Sequence, residues 1–496
     1  MNASRLGLAA AVVVGALPAL AFPAPSWWWL AWIGVVPLLL VVRAAPTART
    51  AALRAWCGMA GYILATQYWL IPSAGPLLLV LAGGLGALWL PWGVAANRLL
   101  RAPNTVGRML AAMAVLPSAW VVAEAVRSWP GLGGPWALLG ASQWNQQATL
   151  ASASLGGVWL TSFLIVAANT AIVGVILNRH VPVRLIAAAV ALACGALGPA
   201  WFWLGPAPPA GPPVRVALVQ PGNIEDSVAR QAAGEALTED LRGRRLDLVV
   251  WGESSVGVDL AGDPDAVTRL ADLSGRVGAD LLVNVDARDS TGEISKSSVL
   301  IGPGGVRGTY SKMRLVPFGE YVPLRPLFGW ATRHTKAAAE DRRRGSGIVV
   351  LHTEDLVLGP LISFETTFSD LPRELVARGA QLLVYQSSTS TYQGSWAQPQ
   401  LAGMVAVHAA EVGHPAVHTG LSGVSSAFDA RGRQLGWYAA TESGVLVVDV
   451  PLGSRTTTFQ RLGNWVPAMA LSILACGITL AVLRYRAARH TTRRSR

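Results

Sequence analysis

Eight apolar runs, each about as long as a bilayer is thick, constrain the fold of this chain more than any other feature. A helix needs about 20 consecutive apolar residues to cross the hydrocarbon core of a membrane. Inside lipid such a run folds as a helix, because its backbone groups find no other hydrogen-bond partners. The runs cover residues 5–22, 27–43, 53–72, 76–97, 109–126, 158–177, 183–204 and 465–483. The sequence therefore predicts a multi-pass α-helical membrane protein.

The arginines predict the orientation of these spans. The loops after the second, fourth and sixth runs are rich in arginine, whereas the loops after the first, third and fifth carry only Arg127. Since cytoplasmic loops are enriched in Lys and Arg, we expect a cytoplasmic N-terminus and an extracytoplasmic segment 205–464. The first run could instead be a signal peptide, with a cleavage site at 19–21. Its removal would leave the remaining topology unchanged.

Composition divides the chain into two apolar blocks around a mixed one. The predicted parts are a membrane domain of about seven helices (1–204), a Pro-rich linker (205–213), a soluble domain (214–460), a C-terminal transmembrane helix (465–483) and a basic cytoplasmic tail (484–496). The net charge of +12 does not indicate nucleic-acid binding, because many arginines flank apolar runs. The three cysteines, Cys57, Cys194 and Cys476, lie inside apolar runs and form no metal or disulfide spacing.

The outer loop 127–157 and the acid before it are the informative polar parts of the membrane domain. The loop is rich in Gly, Pro and Trp. It is either an interfacial loop with an aromatic belt or the lip of an active site. Glu124 lies just inside the preceding run, where an acid is costly. We expect it to pair with Arg127, one helical turn later.

Strand and helix patterns alternate in the soluble domain. Short apolar runs such as 246–255, 356–363 and 380–388 predict buried strands, and 265–278 and 369–379 predict helices between them. Interleaved strands and helices favour α/β layers.

Three polar residues lie at strand ends or in an adjacent loop of this domain: Glu253, Lys312 and Ser363. Together they form an acyl-transfer set. The carboxylate removes a proton from the nucleophile, the ammonium stabilises an oxyanion, and the hydroxyl carries the acyl group between two half-reactions. Taken singly, each has an ordinary interpretation as a surface or turn residue.

Four segments resemble the apolipoprotein N-acyltransferase family, a membrane branch of the nitrilase superfamily, in order and spacing. They are VALVQPGNI (216–224), VVWGES (249–254), YSKMRLVPFGEYVPL (310–324) and LISFE (361–365). LPSAWVVAEAVRSWPGLGGPWALLGASQ (116–143) extends the resemblance into the membrane domain. The resemblance implies a four-layer αββα sandwich on a multi-pass membrane domain. It also implies a location in the plasma (inner) membrane, with the catalytic domain outside the cytoplasm.

The resemblance implies roles for five residues. The family's triad is Glu, Lys and Cys; Glu253 stands at the base position and Lys312 at the lysine position. Glu320 matches a second glutamate that supports the lysine or the base. Ser363 stands where the family has cysteine, and Glu365 matches the acid two residues later. The segment 387–391 also departs from the family, with Ser and Thr replacing an Asn-Asp-Ala/Thr-Trp-Phe pattern.

The implied reaction has two halves and uses no metal and no soluble cofactor. An acyl chain passes from a phospholipid to the nucleophile, and then to the free α-amine of a diacylglyceryl-cysteine on an apolipoprotein. Serine should slow both halves, since its hydroxyl is far less acidic than a thiol with a pKa near 8.5. An oxyester is also less prone to aminolysis than a thioester.

Three interpretations of the serine stay open. The first is a working N-acyltransferase that uses Ser363. The second is a catalytically degenerate homologue that binds membrane lipid or lipoprotein, or that scaffolds a partner enzyme such as a membrane glycosyltransferase. The third is a membrane amidase or other nitrilase-type hydrolase.

Overall fold

The computed structural model describes residues 3–101, 105–209, 211–329 and 340–494. The N-terminal part is helical. Its helices are Ala3–Ala16 (α1), Ala31–Gly34 (α2), Val36–Arg43 (α3), Ala48–Thr66 (α4), Ile71–Ala74 (α5), Leu77–Gly86 (α6), Leu90–Arg101 (α7), Val106–Arg127 (α8), Gln147–Leu150 (α9), Ala153–Leu177 (α10) and Val181–Leu204 (α11). Thr47 and Thr105 cap α4 and α8, each by accepting a bond from the amide three residues later.

Among the described residues, five helical stretches are long and apolar enough to cross a membrane. They are Leu77–Arg101, Val106–Arg127, Ala153–Leu177, Val181–Leu204 and Trp465–Arg484. They coincide with the predicted runs from 76–97 onward. Two shorter apolar stretches, Arg5–Ala21 and Trp28–Arg43, coincide with the first two runs, and the run at 53–72 begins inside α4. The eight-span topology and the domain boundaries stay predictions.

The described residues of the soluble part form two six-stranded sheets. The strands are Pro213–Gln220 (β1), Leu248–Trp251 (β2), Asp280–Arg288 (β3), Ile294–Gly302 (β4), Gly305–Ser311 (β5), Leu351–His352 (β6), Val357–Ile362 (β7), Leu382–Ser387 (β8), Ala416–Gly420 (β9), Ser425–Phe428 (β10), Gln434–Tyr438 (β11) and Gly444–Pro451 (β12). The spatial orders are β12-β1-β2-β3-β4-β5 and β11-β10-β9-β8-β7-β6. In each sheet the three central strands are parallel.

Helices cover the outer face of each sheet. The helices of the soluble part are Ser227–Glu239 (α12), Pro264–Val277 (α13), Arg325–Phe328 (α14), Asp370–Ala377 (α15), Ala397–Val412 (α16) and Thr458–Leu462 (α17). The helix Trp465–Arg494 (α18) follows them. Leu218, Leu282 and Leu382 belong to the apolar layer between the sheets. Leu270 of α13 packs on the first sheet and Val405 of α16 on the second. The predicted αββα sandwich beside a helical membrane domain is therefore confirmed.

Helix α16 on the second sheet packs against the membrane helices and is largely buried. Leu164 of α10 and Ala470 of α18 share one apolar cluster with Val405. At the same junction α10 is kinked at Gly157, with φ +69°. There the Glu411 carboxylate accepts a bond of 2.7 Å from the Val158 amide. This contact helps to hold the soluble domain in a defined position over the membrane domain.

The predicted pairing of Glu124 with Arg127 holds only as an electrostatic interaction, because no hydrogen bond or salt bridge joins the two side chains. Glu124 Oε1 accepts bonds from the Trp120 indole at 3.0 Å and the Leu139 amide at 2.8 Å. Arg127 donates to the Ala137 carbonyl at 3.2 Å. The outer loop folds back over the end of α8. Its backbone therefore supplies hydrogen-bond partners to both Glu124 and Arg127.

Candidate active site

The carboxyl ends of strands from the two sheets meet at one place. Glu253 follows β2, Ser363 follows β7 and Ser388 follows β8. The Glu253 amide donates to the Ser387 carbonyl at 3.1 Å, and the Ser388 amide donates to Glu253 Oε2 at 2.8 Å. These two bonds join the sheets at the site and fix one oxygen of the Glu253 carboxylate.

Ser363 occupies a strained turn directly after β7. Its φ is +53°, in the left-handed region that a residue with a side chain rarely adopts. Such a conformation costs about 1–3 kcal/mol and persists only where the surroundings enforce it. A sharp turn at the end of a strand also presents the side chain to the space above the sheet, as the strand-to-helix turn does in α/β-hydrolases. The half-buried Ser363 accordingly lines a cavity.

Glu365 holds this turn and ties it to the segment that carries Lys312. Its Oε2 accepts a bond from the Ile362 amide at 2.9 Å. Its Oε1 accepts bonds from the Met313 amide at 2.8 Å, the Arg314 amide at 3.0 Å and the Tyr310 hydroxyl at 2.8 Å. Burial raises the pKa of Glu365, and these donors counteract that effect. The Ser363 turn and the lysine segment therefore form one rigid unit.

Glu365→Gln is expected to lower the free energy of unfolding by about 2 kcal/mol, because the amide replaces a buried acceptor that receives four hydrogen bonds. Thermal unfolding in detergent, followed by circular dichroism, measures the change. Glu374→Gln is the matched control: Glu374 pairs with Arg378 on the exposed face of α15 and should matter little. Equal stability of the two variants would contradict the proposed role of Glu365.

Lys312 lies between two carboxylates and is fully buried. Its Nζ is 2.8 Å from Glu320 Oε1 and 3.5 Å from Glu253 Oε1. The other oxygen of Glu320 accepts a bond from the Val316 amide at 2.9 Å. Burial alone would raise the pKa of Glu320, but the ammonium groups of Lys312 and Lys296 lower it to about 2. Glu320 is thus an ionised partner that holds Lys312 beside Glu253.

Lys296 is a second ammonium in this cluster that the sequence analysis missed. It lies on β4, and its Nζ is 2.6 Å from Glu253 Oε1. Burial would lower its pKa, but the carboxylates of Glu253, Glu320 and Asp286 raise it. The chain contains only three lysines, Lys296, Lys312 and Lys336. Because lysine is so rare in this sequence, each lysine was a candidate functional residue, and this signal could have identified Lys296. Lys336 lies outside the described residues.

A cavity of about 660 Å³ leads from the membrane helices to Ser363. Its walls are mainly apolar, with Trp69 and Leu85 from the membrane part and Trp136 from the outer loop. Ser388 and Thr389, from the segment that departs from the family pattern, line it beside Ser363. The outer loop therefore forms part of the wall of the candidate site, the second of the two alternatives that the sequence left open.

Gly134 of the outer loop touches the residue after the candidate nucleophile. A Cβ at this position would lie 2.8 Å from Phe364 Cζ. Gly134→Ala should therefore displace Phe364 and lower the rate of any acylation of Ser363 about tenfold, since small misplacements of reacting groups are costly. Gly133→Ala is the matched control, because Gly133 also has positive φ but a Cβ there meets nothing within 4 Å. Equal rates of acyl-enzyme formation, measured by intact mass, would show that the contact is unimportant.

The structure places the five predicted residues in two groups that Glu365 links. Glu253, Lys312 and Glu320 form one contiguous ion cluster, and Glu365 binds the turn of Ser363 to the Lys312 segment. Their catalytic roles stay predictions. Such a set can carry out acyl transfer, with a carboxylate to accept the hydroxyl proton, an ammonium to stabilise an oxyanion and an apolar cavity for an acyl chain.

Two family models match the chain. The apolipoprotein N-acyltransferase N-terminal domain matches residues 14–171, and carbon-nitrogen hydrolase matches residues 215–459. The apolipoprotein N-acyltransferase of Azotobacter vinelandii is 31% identical, covering 97% of this chain and 95% of that protein. The apolipoprotein N-acyltransferase of Geobacter metallireducens is 29% identical, and the match covers 96% of this chain and 95% of that protein. A crystal structure of a carbon-nitrogen hydrolase from Helicobacter pylori is 16% identical with a TM-score of 0.37, covering 48% of this chain and 89% of that one.

Proposed function

Because the chain belongs to the apolipoprotein N-acyltransferase family, we propose that it transfers a fatty acyl group from a membrane phospholipid to the N-terminal diacylglyceryl-cysteine of apolipoproteins. The observation that carries the proposal is the cavity of about 660 Å³, which joins apolar membrane helices to Ser363. A lipid acyl chain in this cavity would lie in apolar surroundings with its ester at Ser363.

In the first half-reaction, Ser363 Oγ attacks the ester carbonyl carbon of the phospholipid. Glu253 takes the hydroxyl proton as the new C–O bond forms. Lys312 stabilises the negative charge that develops on the carbonyl oxygen. The intermediate then collapses, the lysophospholipid oxygen leaves with the proton from Glu253, and the acyl group stays on Ser363 as an ester.

In the second half-reaction, the free α-amine of the acceptor attacks the acyl-serine ester. Glu253 takes a proton from the attacking nitrogen and returns it to Ser363 Oγ as the ester bond breaks. The products are the N-acylated lipoprotein and the regenerated serine. We propose a multi-pass protein of the plasma membrane with the sandwich outside the cytoplasm, where such an acceptor would present its amine.

One observation favours the second candidate function, a non-catalytic homologue. Both oxygens of Glu253 already accept bonds, from Lys296 and from the Ser388 amide, and the nucleophile is serine. Such a protein would bind lipid or lipoprotein without turnover. A membrane glycosyltransferase as its partner stays a hypothesis that the family assignment does not support.

Chain-length tracing in proteoliposomes tests the proposal. The purified protein is reconstituted with a phospholipid of one defined acyl length and a synthetic diacylglyceryl-cysteine peptide. We expect the peptide to gain the mass of that acyl group, and the gain to follow the donor when its chain length is changed. A peptide with an acetylated α-amine is the control and should gain nothing. An unmodified peptide with both donors would favour the non-catalytic candidate.

A further inference from the structure

Lys296 is the nearest positive charge to the candidate base in the described part of the chain. Its Nζ is 2.6 Å from Glu253 Oε1, compared with 3.5 Å for Lys312. The side chain of Lys296 is only 12% exposed. The ammonium therefore acts on Glu253 with little screening by water.

Among the residues that the structure describes, three carboxylates and three cations balance each other around this point. Asp286 on β3 lies opposite Lys296 in the β3–β4 register, with Oδ2 at 3.5 Å from Nζ. Glu320 Oε1 is also 3.5 Å from Nζ. Arg342 pairs with Asp286, Lys312 pairs with Glu320, and the end of β8 contributes only the Ser388 amide. Loss of Lys296 would leave the cluster with one excess negative charge.

We propose that Lys296 is a positioning residue for acyl transfer: it holds the Glu253 side chain between its ammonium and the Ser388 amide, and so sets the lower pH limit of the reaction. The inference rests on the proposed function, in which Glu253 accepts the proton of Ser363. It has a second consequence. A carboxylate beside an ammonium is a weaker base, so Lys296 widens the active pH range and lowers the maximal rate.

The pH dependence of acyl-enzyme formation distinguishes this role from a merely structural one. Lys296→Met removes the cation nearest to the Glu253 carboxylate, and an opposite charge at this distance lowers a carboxyl pKa by about 1–3 units. The acid-side midpoint is the pH at which the rate of acyl-enzyme formation falls to half its maximum as the solution is acidified. In Lys296→Met we expect this midpoint to rise by at least about one pH unit, with no decrease of the rate at alkaline pH. A lower rate at every pH with an unchanged midpoint would overturn the proposal.

A second readout does not depend on turnover. In Ser363→Cys the rate of alkylation by iodoacetamide follows the thiolate fraction, so its pH midpoint reports the pKa of the introduced thiol. Adding Lys296→Met should raise this midpoint, because a nearby positive charge is lost. A shifted alkylation midpoint without acylation in any variant would reject the proposed function. It would still support Lys296 as the cation that sets the electrostatic potential at the site. An unmoved midpoint would overturn the inference even where acylation occurs.

Two further variants control for charge loss and folding. Arg307→Met removes a cation on the adjacent strand β5 that pairs with Asp280 and Glu354, and it should move neither midpoint. If Lys296→Met does not fold, Lys296→Met combined with Asp286→Asn restores the balance of charge. The double variant should shift the midpoint in the same direction by a smaller amount, because Glu253 still lacks its nearest cation.

Discussion

Ser363→Cys is expected to form the acyl-enzyme at least about tenfold faster than the parent chain at neutral pH, and Ser363→Ala is expected to form none. A thiol with a pKa near 8.5 is partly ionised at neutral pH and is a strong nucleophile. A serine hydroxyl must instead lose its proton to Glu253 during the attack. A tenfold rate difference corresponds to only about 1.4 kcal/mol of activation free energy. This is a small difference compared with the much greater acidity of a thiol than of a hydroxyl. Time-resolved intact mass with one defined phospholipid measures both rates.

Ser290→Ala is the control for this comparison, because Ser290 lies in an exposed turn and should acylate like the parent. A silent parent with an active cysteine variant would mean that the site has lost only its thiol. A cysteine variant slower than the parent would contradict the argument from acidity and would indicate a site shaped around serine.

Glu253→Gln is expected to slow acyl-enzyme formation by about 10²–10⁴-fold, the usual contribution of a general base. The amide keeps the size of the side chain and one oxygen acceptor, but it cannot take a proton from Ser363. Lys296 and Lys312 would also lose a carboxylate partner. The apparent Tm must therefore be measured beside the rate, so that lost folding is not mistaken for lost chemistry.

Glu239→Gln is the matched control for this variant, since Glu239 pairs with Arg276 on the surface and should leave the rate unchanged. A folded Glu253→Gln protein that acylates at the parent rate would exclude Glu253 as the base. The proton of Ser363 would then have to pass to another group.

The site residues that the sequence predicted each lie in a short contiguous segment with a recognisable pattern. Glu253 follows β2 of the first sheet and Ser363 follows β7 of the second. Each lies at the carboxyl end of a parallel strand, where α/β proteins bind their ligands. Lys312 and Glu320 lie eight residues apart in one loop. Each of these positions could be inferred without knowing which strands pair.

Lys296 could not be inferred in this way. It lies within β4, and its three carboxylate partners come from β3, the segment after β2 and the loop after β5. Only the antiparallel β3–β4 register brings Asp286 opposite it. The sequence missed a hydrogen-bond donor to Glu124 for a related reason. That donor is the Leu139 amide, and no sequence pattern indicates where a loop backbone folds back.

Mapping the acyl group on the parent chain tests the central claim most directly. The protein is incubated with a phospholipid of one acyl length, digested, and its peptides are analysed by tandem mass spectrometry. The account predicts one acyl group on the peptide that contains Ser363, attached to that serine and absent from Ser363→Ala. An acyl group on another residue, or none on the parent chain and on Ser363→Cys alike, would contradict Ser363 as the nucleophile.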